Sequence, residues 1–169
     1  MNNVNDSSLS AAGRFGRMSY LGWNSLLLIT VMIIGILCAI LLPGFKPDID
    51  QGMPLSMLLT IGIIYFAMLY LTFIFTIRRL HDRNHTGWLS LLLLVPIANI
   101  CLALYLIFAK GDAHENQYGW PRPTQTWEKI LGWIYILIIP LGILAGISVP
   151  AYQDYVQRAK QAQIEMQQQ

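Results

Sequence analysis

The chain has 169 residues, of which 55% are apolar and only 12% charged, with a net charge of +2. That charged share is about half that of an average soluble domain. Without a basic stripe carrying interleaved aromatics, the composition also excludes nucleic acid as a partner.

The residues up to Ala12 are polar, rich in Asn and Ser, and are expected to be a disordered tail. No small-residue cleavage site follows the first apolar run, which is too long for the apolar region of a signal peptide. Four runs are then long and apolar enough to span a bilayer, which needs about 20 helical residues. Tyr20 to Leu42 is the first, stopped by Pro43-Gly44. Leu55 to Ile77 follows Pro54 and ends at Arg78-Arg79. Gly87 to Ala109 contains Pro96 and ends at Lys110-Gly111-Asp112. Ile130 to Val149 contains Pro140 and runs into Pro150. An interior proline removes a helix hydrogen bond, but a transmembrane helix tolerates it where neighbours satisfy the freed carbonyl. Trp23, Trp88, Trp120, Trp127 and Trp133 lie near run ends, as an interfacial aromatic belt requires. Cys38 and Cys101 lie inside apolar runs and read as reduced thiols, with no zinc-binding spacing.

With four crossings and a cytoplasmic N-terminus, the inner side holds Arg14, Arg17, Arg78, Arg79, Arg83, Arg158 and Lys160. The outer side holds Lys46, Lys110, Arg122 and Lys129. Seven basic residues against four put both ends in the cytoplasm.

The richest polar passage is Arg78-Arg79-Leu80-His81-Asp82-Arg83-Asn84-His85-Thr86-Gly87-Trp88, between the second and third runs. Arginines at a helix C-terminus suit its dipole and can snorkel to lipid phosphates. Asp82 can pair with Arg78 or Arg79. Two chemical readings are open: metal binding by His81, Asp82 and His85, or acid–base work by His81 oriented by Asp82. The structural reading is an interfacial anchor made of Arg14, Arg17, Arg78, Arg79, His81, Asp82, Gly87 and Trp88. The shortage of further converging acids or histidines favours the anchor and gives no catalytic residue, metal ligand or cofactor.

Three passages together resemble a known family. They are Gly13-Arg14-Phe15-Gly16-Arg17 before the first run, Arg78-Arg79-Leu80-His81-Asp82 with Gly87-Trp88, and Gly111 with Glu115-Asn116-Gln117-Tyr118-Gly119. They resemble the domain of unknown function 805 family, small bacterial inner-membrane proteins (the YhaH-like proteins). The closing element of that family has glycine where this chain has His114 and arginine where it has Gln117. Its Pro-Asp-Pro ending is Trp120-Pro121-Arg122-Pro123 here, and the aromatic pair beginning the first helix is Tyr20-Leu21. The resemblance implies a multi-pass protein of the bacterial inner membrane and assigns no activity.

Beyond Pro123, the segment Leu141 to Ala159 resembles the N-terminal helix of type IV pilins in its Gly-Ile-Leu-Ala core and its Pro-Ala-Tyr-Gln-Asp-Tyr exit. The processing glycine of a prepilin falls at Glu128 and the pilin-pairing glutamate at Trp133, so neither cleavage nor an ordinary place in a filament is expected. Gly142, Ala145 and Gly146 allow close helix contact in lipid. After Pro150, Tyr152, Tyr155, Ala159, Ala162 and Met166 recur at helical spacing, with Asp154 and Arg158 at pairing distance. A pilin helix emerges on the outer face of the inner membrane, which contradicts the charge count above.

The expected fold is therefore all-α. Four transmembrane helices form a small bundle with a C-terminal amphipathic extension, divided into a tail (1–12), a three-helix module (13–123) and a pilin-like helix with its polar tail (124–169). The expected function is a non-enzymatic accessory role in the membrane, its fourth helix contacting pilins or pilus assembly components through Gly142, Ala145, Gly146, Pro150, Tyr152 and Tyr155. The alternative is a small transporter or anionic-lipid-binding protein centred on the Arg78–His85 turn. No apolar run carries an ionisable Asp, Glu, Lys, Arg or His, which argues against an ion-coupled carrier.

Overall fold

The computed structural model describes residues 9–41 and 53–167. The Pro43-Gly44 stop, Lys46 and most of the expected polar tail lie outside them. Among the described residues the architecture is helical: α1 (Arg17–Leu41), α2 (Leu55–His81), a 3-10 segment (Gly87–Leu94), α3 (Pro96–Phe108) and α4 (Thr126–Gln167). The chain divides into two units, residues 1–133 and 134–169.

α1, α2 and α4 are long and apolar enough to cross a membrane. Their large apolar side chains are mostly exposed, as in Ile40 (71%), Ile63 (71%) and Ile147 (68%). In water such surfaces would drive aggregation; in a bilayer they meet a solvent of their own kind. The small core sits at one end of the first unit, where Phe15, Leu21, Phe75, Leu80 and Leu106 are buried.

The third apolar run departs from the four-helix expectation. It is two short pieces, an eight-residue 3-10 segment and a 13-residue α-helix, so no single helix long enough to span is built from it. The break falls at Val95, which takes extended backbone angles (φ −104°, ψ 114°), and Pro96 begins α3. Pro96 favours a helix start here without by itself compelling the break, since α4 runs on through Pro140 and Pro150. At the first turn of a helix the missing N–H costs nothing, whereas inside a continuous helix it would remove a bond and clash with the preceding turn.

α2 ends in a six-residue closure. His85 N–H donates to Leu80 O at 3.0 Å and Asn84 N–H to His81 O at 3.0 Å, with Asn84 in the left-handed region at φ 56°. This is the Schellman arrangement, with asparagine in the position glycine usually takes. The first turn of α4 lies against α1, where a Cβ at Gly22 would sit 2.5 Å from the Glu128 carbonyl oxygen. Only glycine permits that approach.

The second unit is the remainder of α4, continuous through Pro140 and Pro150 as far as Gln167. The expected Asp154–Arg158 pair forms at 2.9 Å but is largely exposed, and such pairs add little stability.

Candidate functional site

Among the described residues of the first unit, Arg14, Arg79 and Asp82 form one buried knot at the end where α1 begins and α2 finishes. Arg14 is its centre. Its guanidinium donates from Nε and Nη2 to Asp82 Oδ1 (3.2 and 3.1 Å), from Nη1 to the His114 and Gly119 carbonyls (2.8 and 2.9 Å), and from Nη2 to the Asp112 carbonyl (2.6 Å). Those five bonds use all five donors of the group. Arg79 donates to Asp82 Oδ2 at 2.5 Å, to the Leu106 carbonyl at 2.9 Å and to the carbonyls of Phe15 and Ala109. Arg14, Arg79 and Asp82 are all buried, at 1%, 0% and 3% exposure.

Asp82 thus serves two cations, and only one of them is the local partner expected from sequence. The other, Arg14, stands 68 residues away. Burial pushes the Asp82 carboxyl above the usual carboxylate range, against the pull of Arg79 and Arg14. The Asp82 carbonyl accepts from Asp112 N–H at 2.9 Å, which brings Gly111 so close that a Cβ there would lie 1.9 Å from Asp82 Oδ2. Gly111 is the residue that lets the closing segment reach the acid.

Arg78 is directed elsewhere. Its guanidinium carbon stands 3.8 Å from the centre of the Phe15 ring, a cation–π contact in a desolvated place. The Arg78 carbonyl accepts from Phe15 N–H at 2.9 Å. Phe15 also stacks on Trp23 at 6.1 Å, and Trp23 meets Trp127 edge-on at 5.1 Å.

Through these aromatics the knot connects to a second cluster around Glu128, fully buried at 0% exposure. Its carboxylate accepts from Ser19 Oγ (2.9 Å), Trp23 Nε1 (2.8 Å), Gln125 N–H (2.9 Å) and Arg122. The bond from Gln125 is one half of a capping box at the start of α4. Sequence reasoning noticed Glu128 only as a mismatch to a prepilin glycine. The signal it passed over was an acid three residues after Gln125, immediately ahead of an apolar run.

The histidines of the turn do not converge. The His81 ring stacks on Tyr118 at 3.7 Å with its Nδ1 3.4 Å from the Gly13 carbonyl, while His85 Nε2 bonds Tyr105 Oη at 2.7 Å. Asp82 gives both oxygens to arginines, so the imagined His81–Asp82 dyad is not formed. Among the described residues no three His, Cys, Asp or Glu side chains come together as a metal site would need.

The other residues singled out from sequence are placed as follows. Arg17 is exposed; Trp88 is exposed, at 77%. Trp88 lines a cavity of about 490 Å³ together with His81, Gly87, Ser90 and Tyr118. Arg14, Arg78 and Arg79, expected to reach for headgroups, are instead enclosed by protein. Arg14 and Arg79 donate to carbonyl and carboxylate oxygens of the protein, and the Arg78 guanidinium lies over the Phe15 ring. Gly142, Ala145, Gly146, Pro150, Tyr152 and Tyr155 lie on the exposed surface of α4, outside the knot.

Residues 8–120 match the family described as "Protein of unknown function (DUF805)". The chain belongs to this family. The DUF805 match covers about two thirds of the chain, and it ends one residue after Gly119, whose carbonyl completes the shell of Arg14. All three of its recognisable passages meet in the knot. No curated protein and no solved structure matches the chain.

Proposed function

We propose that the chain is a non-enzymatic accessory protein of the bacterial inner membrane, a compact anchor whose long α4 is offered to a partner helix. The observation carrying this reading is the saturation of Arg14. All five of its donors are used inside the protein, and Asp82 is held by two arginines, so the polar text of the family serves to fasten elements together. A group engaged in turnover needs an approachable atom, and Arg14 and Asp82 are only 1% and 3% exposed.

The partner we propose is a pilin or an inner-membrane pilus assembly component, because Leu141 to Ala159 resembles a pilin helix. A Cβ added at Gly142 or Gly146 would meet nothing within 4 Å, so this small-residue surface is uncovered. The test is affinity purification of the full tagged chain from membranes of a piliated bacterium. Pilin should co-purify with the native chain and be lost when Gly142, Ala145 and Gly146 are all changed to leucine. Equal recovery with the triple variant, or no recovery with the native chain, refutes the partner.

A second reading is favoured by the cavity beside Trp88 and by exposed Arg17, Lys110 and Lys129 at the knot end. These cations suit anionic headgroups. Native mass spectrometry of the chain released from anionic vesicles would detect retained lipid. Retention that survives neutralising all three cations would remove this reading.

A further inference from the structure

We propose that the chain crosses the membrane three times, with the third apolar run entering and leaving on the same face, so that the knot is cytoplasmic and the end of α4 is on the opposite face. The inference rests on where the two ends of that run lie. At its start, a Cβ at Gly87 would stand 2.9 Å from Ile77 Cγ2 and 3.5 Å from His81 Nε2, which puts Gly87 beside the last turns of α2. At its finish, Leu106 and Ala109 give their carbonyls to Arg79, on those same turns. Tyr105 Oη bonds His85 at 2.7 Å and accepts from Arg83 Nε at 3.1 Å, and Asp112 N–H reaches Asp82 O at 2.9 Å.

Drawn out as one straight α-helix, the run would hold Ala109 about 30 Å from Gly87. An arginine side chain cannot bridge that distance. The run must fold back. Its limbs have the right lengths for a shallow hairpin: eight residues of 3-10 helix extend about 16 Å, and the 13 residues of α3 return over about 20 Å. Each falls short of the roughly 30 Å hydrocarbon core. Val95 and Pro96 make the bend. The outward side chains there are apolar and exposed, including Leu94 (62%), Ile97 (79%) and Ile100 (63%), as hydrocarbon contact requires. Ser90, Leu102 and Leu106 are buried, turned into the protein. At the bend Val95 N–H donates to Leu92 O at 3.1 Å and the Val95 carbonyl accepts from Asn99 N–H at 2.7 Å, so these backbone groups are satisfied within the hairpin, as lipid requires.

The parity of crossings then changes. α4 begins at Thr126 with Glu128 in the knot cluster and is one continuous helix to Gln167. Its apolar stretch from Ile130 to Val149 is about 30 Å long, enough for one crossing. The knot face accordingly carries Arg14, Arg17, Arg78, Arg79, Arg83, Lys110, Arg122 and Lys129. Only Lys46, Arg158 and Lys160 remain for the other face. Eight against three is a firmer positive-inside bias than seven against four, and it places the knot in the cytoplasm. This topology stands whether or not α4 has a partner.

The test uses the full chain in a bacterial host, with Cys38 and Cys101 changed to alanine. Single cysteines are introduced at exposed Ala12, at exposed Ala113 and after Gln169, and are labelled in intact cells by a membrane-impermeant maleimide. Three crossings predict that the terminal cysteine labels while Ala12→Cys and Ala113→Cys label only after lysis. Four crossings predict the reverse at the last two sites: Ala113→Cys labels in intact cells and the terminal cysteine does not. That result overturns the proposal, as does labelling of Ala12→Cys and Ala113→Cys from outside, which would refute the cytoplasmic knot. Phosphatase and fluorescent-protein fusions after Gln169 repeat the reading without any cysteine; fluorescence without phosphatase activity also overturns it.

Discussion

Asp82 is the residue whose loss the structure makes most costly, because its one carboxylate is shared by two buried guanidiniums. Asp82→Asn keeps the shape of the side chain but leaves Arg14 and Arg79 enclosed without a counter-charge. Breaking a buried pair by removing one partner costs about 3–5 kcal/mol. Arg14→Met removes a charge instead of stranding one. Asp82 then keeps Arg79, and the Asp112, His114 and Gly119 carbonyls lose a donor at positions half-buried or exposed, where water can replace it. The expected order is therefore Asp82→Asn well below Arg14→Met, and the double variant less impaired than the sum of the singles, since neighbours in one network do not add. For a chain of this size about 2–4 °C accompanies each kcal/mol, so Asp82→Asn should lower the unfolding midpoint by about 6–20 °C. Thermal unfolding in mild detergent, followed by tryptophan fluorescence, reads this directly because Trp23 packs beside the knot. A midpoint within about 2 °C of the native chain, or an Arg14→Met variant weaker than Asp82→Asn, would refute the account of the knot.

The same assay separates three further cases. Gly111→Ala places a methyl group 1.9 Å from Asp82 Oδ2 and should cost about as much as Asp82→Asn, whereas Gly62→Ala meets nothing within 4 Å and should be neutral or stabilising by up to about 1 kcal/mol. Glu128→Gln turns one acceptor oxygen into an N–H facing donors from Ser19, Trp23, Gln125 or Arg122, at a cost of about 1–3 kcal/mol with a shift in Trp23 emission; an unchanged midpoint would show that this cluster does not fasten α4. Arg14→Lys offers three donors in place of a planar five-donor fork, so it should fail to restore the midpoint despite keeping the charge.

What the sequence made legible was whatever depends on composition or on short spacing. The membrane class follows from apolar runs that need no partner to be recognised; α1 and α2 begin and end within four residues of the expected windows, whereas α4 begins four residues ahead of its window and continues 18 residues beyond it, to Gln167. The family was legible because Arg78-Arg79-Leu80-His81-Asp82 is a contiguous string. What the string does was not. Asp82 was expected to take a neighbour on its own helix, and half of its charge is answered by Arg14, which no periodicity connects to it. The hairpin was hidden for a related reason. A hydropathy window counts apolar residues and says nothing of direction, so Gly87–Leu94 and Pro96–Phe108 add up to one helix's worth of hydrophobicity while running opposite ways. Pro96 was visible, but a proline kink and a proline turn look the same until the far end of the run is located.

The knot and the hairpin are one feature, because each requires the other. Arg14 makes three of its five hydrogen bonds to Asp112, His114 and Gly119, all in the segment that follows α3. Had the third run crossed the bilayer, those carbonyls would lie about 30 Å from Arg14, and the buried guanidinium would be left with Asp82 alone. Conversely, a hairpin that stops short of the far face gains no aqueous anchor there, and its return limb is held by Arg79 on Leu106 and Ala109 and by Arg83 and His85 on Tyr105. The same dependence removes the conflict between charge and resemblance. With four crossings, the basic residues put the C-terminus inside while the pilin-like segment put it outside. Under the proposed three crossings the basic residues are redistributed to eight against three, the C-terminus moves to the outer face, and that is the side on which a resemblance to a pilin helix would place it.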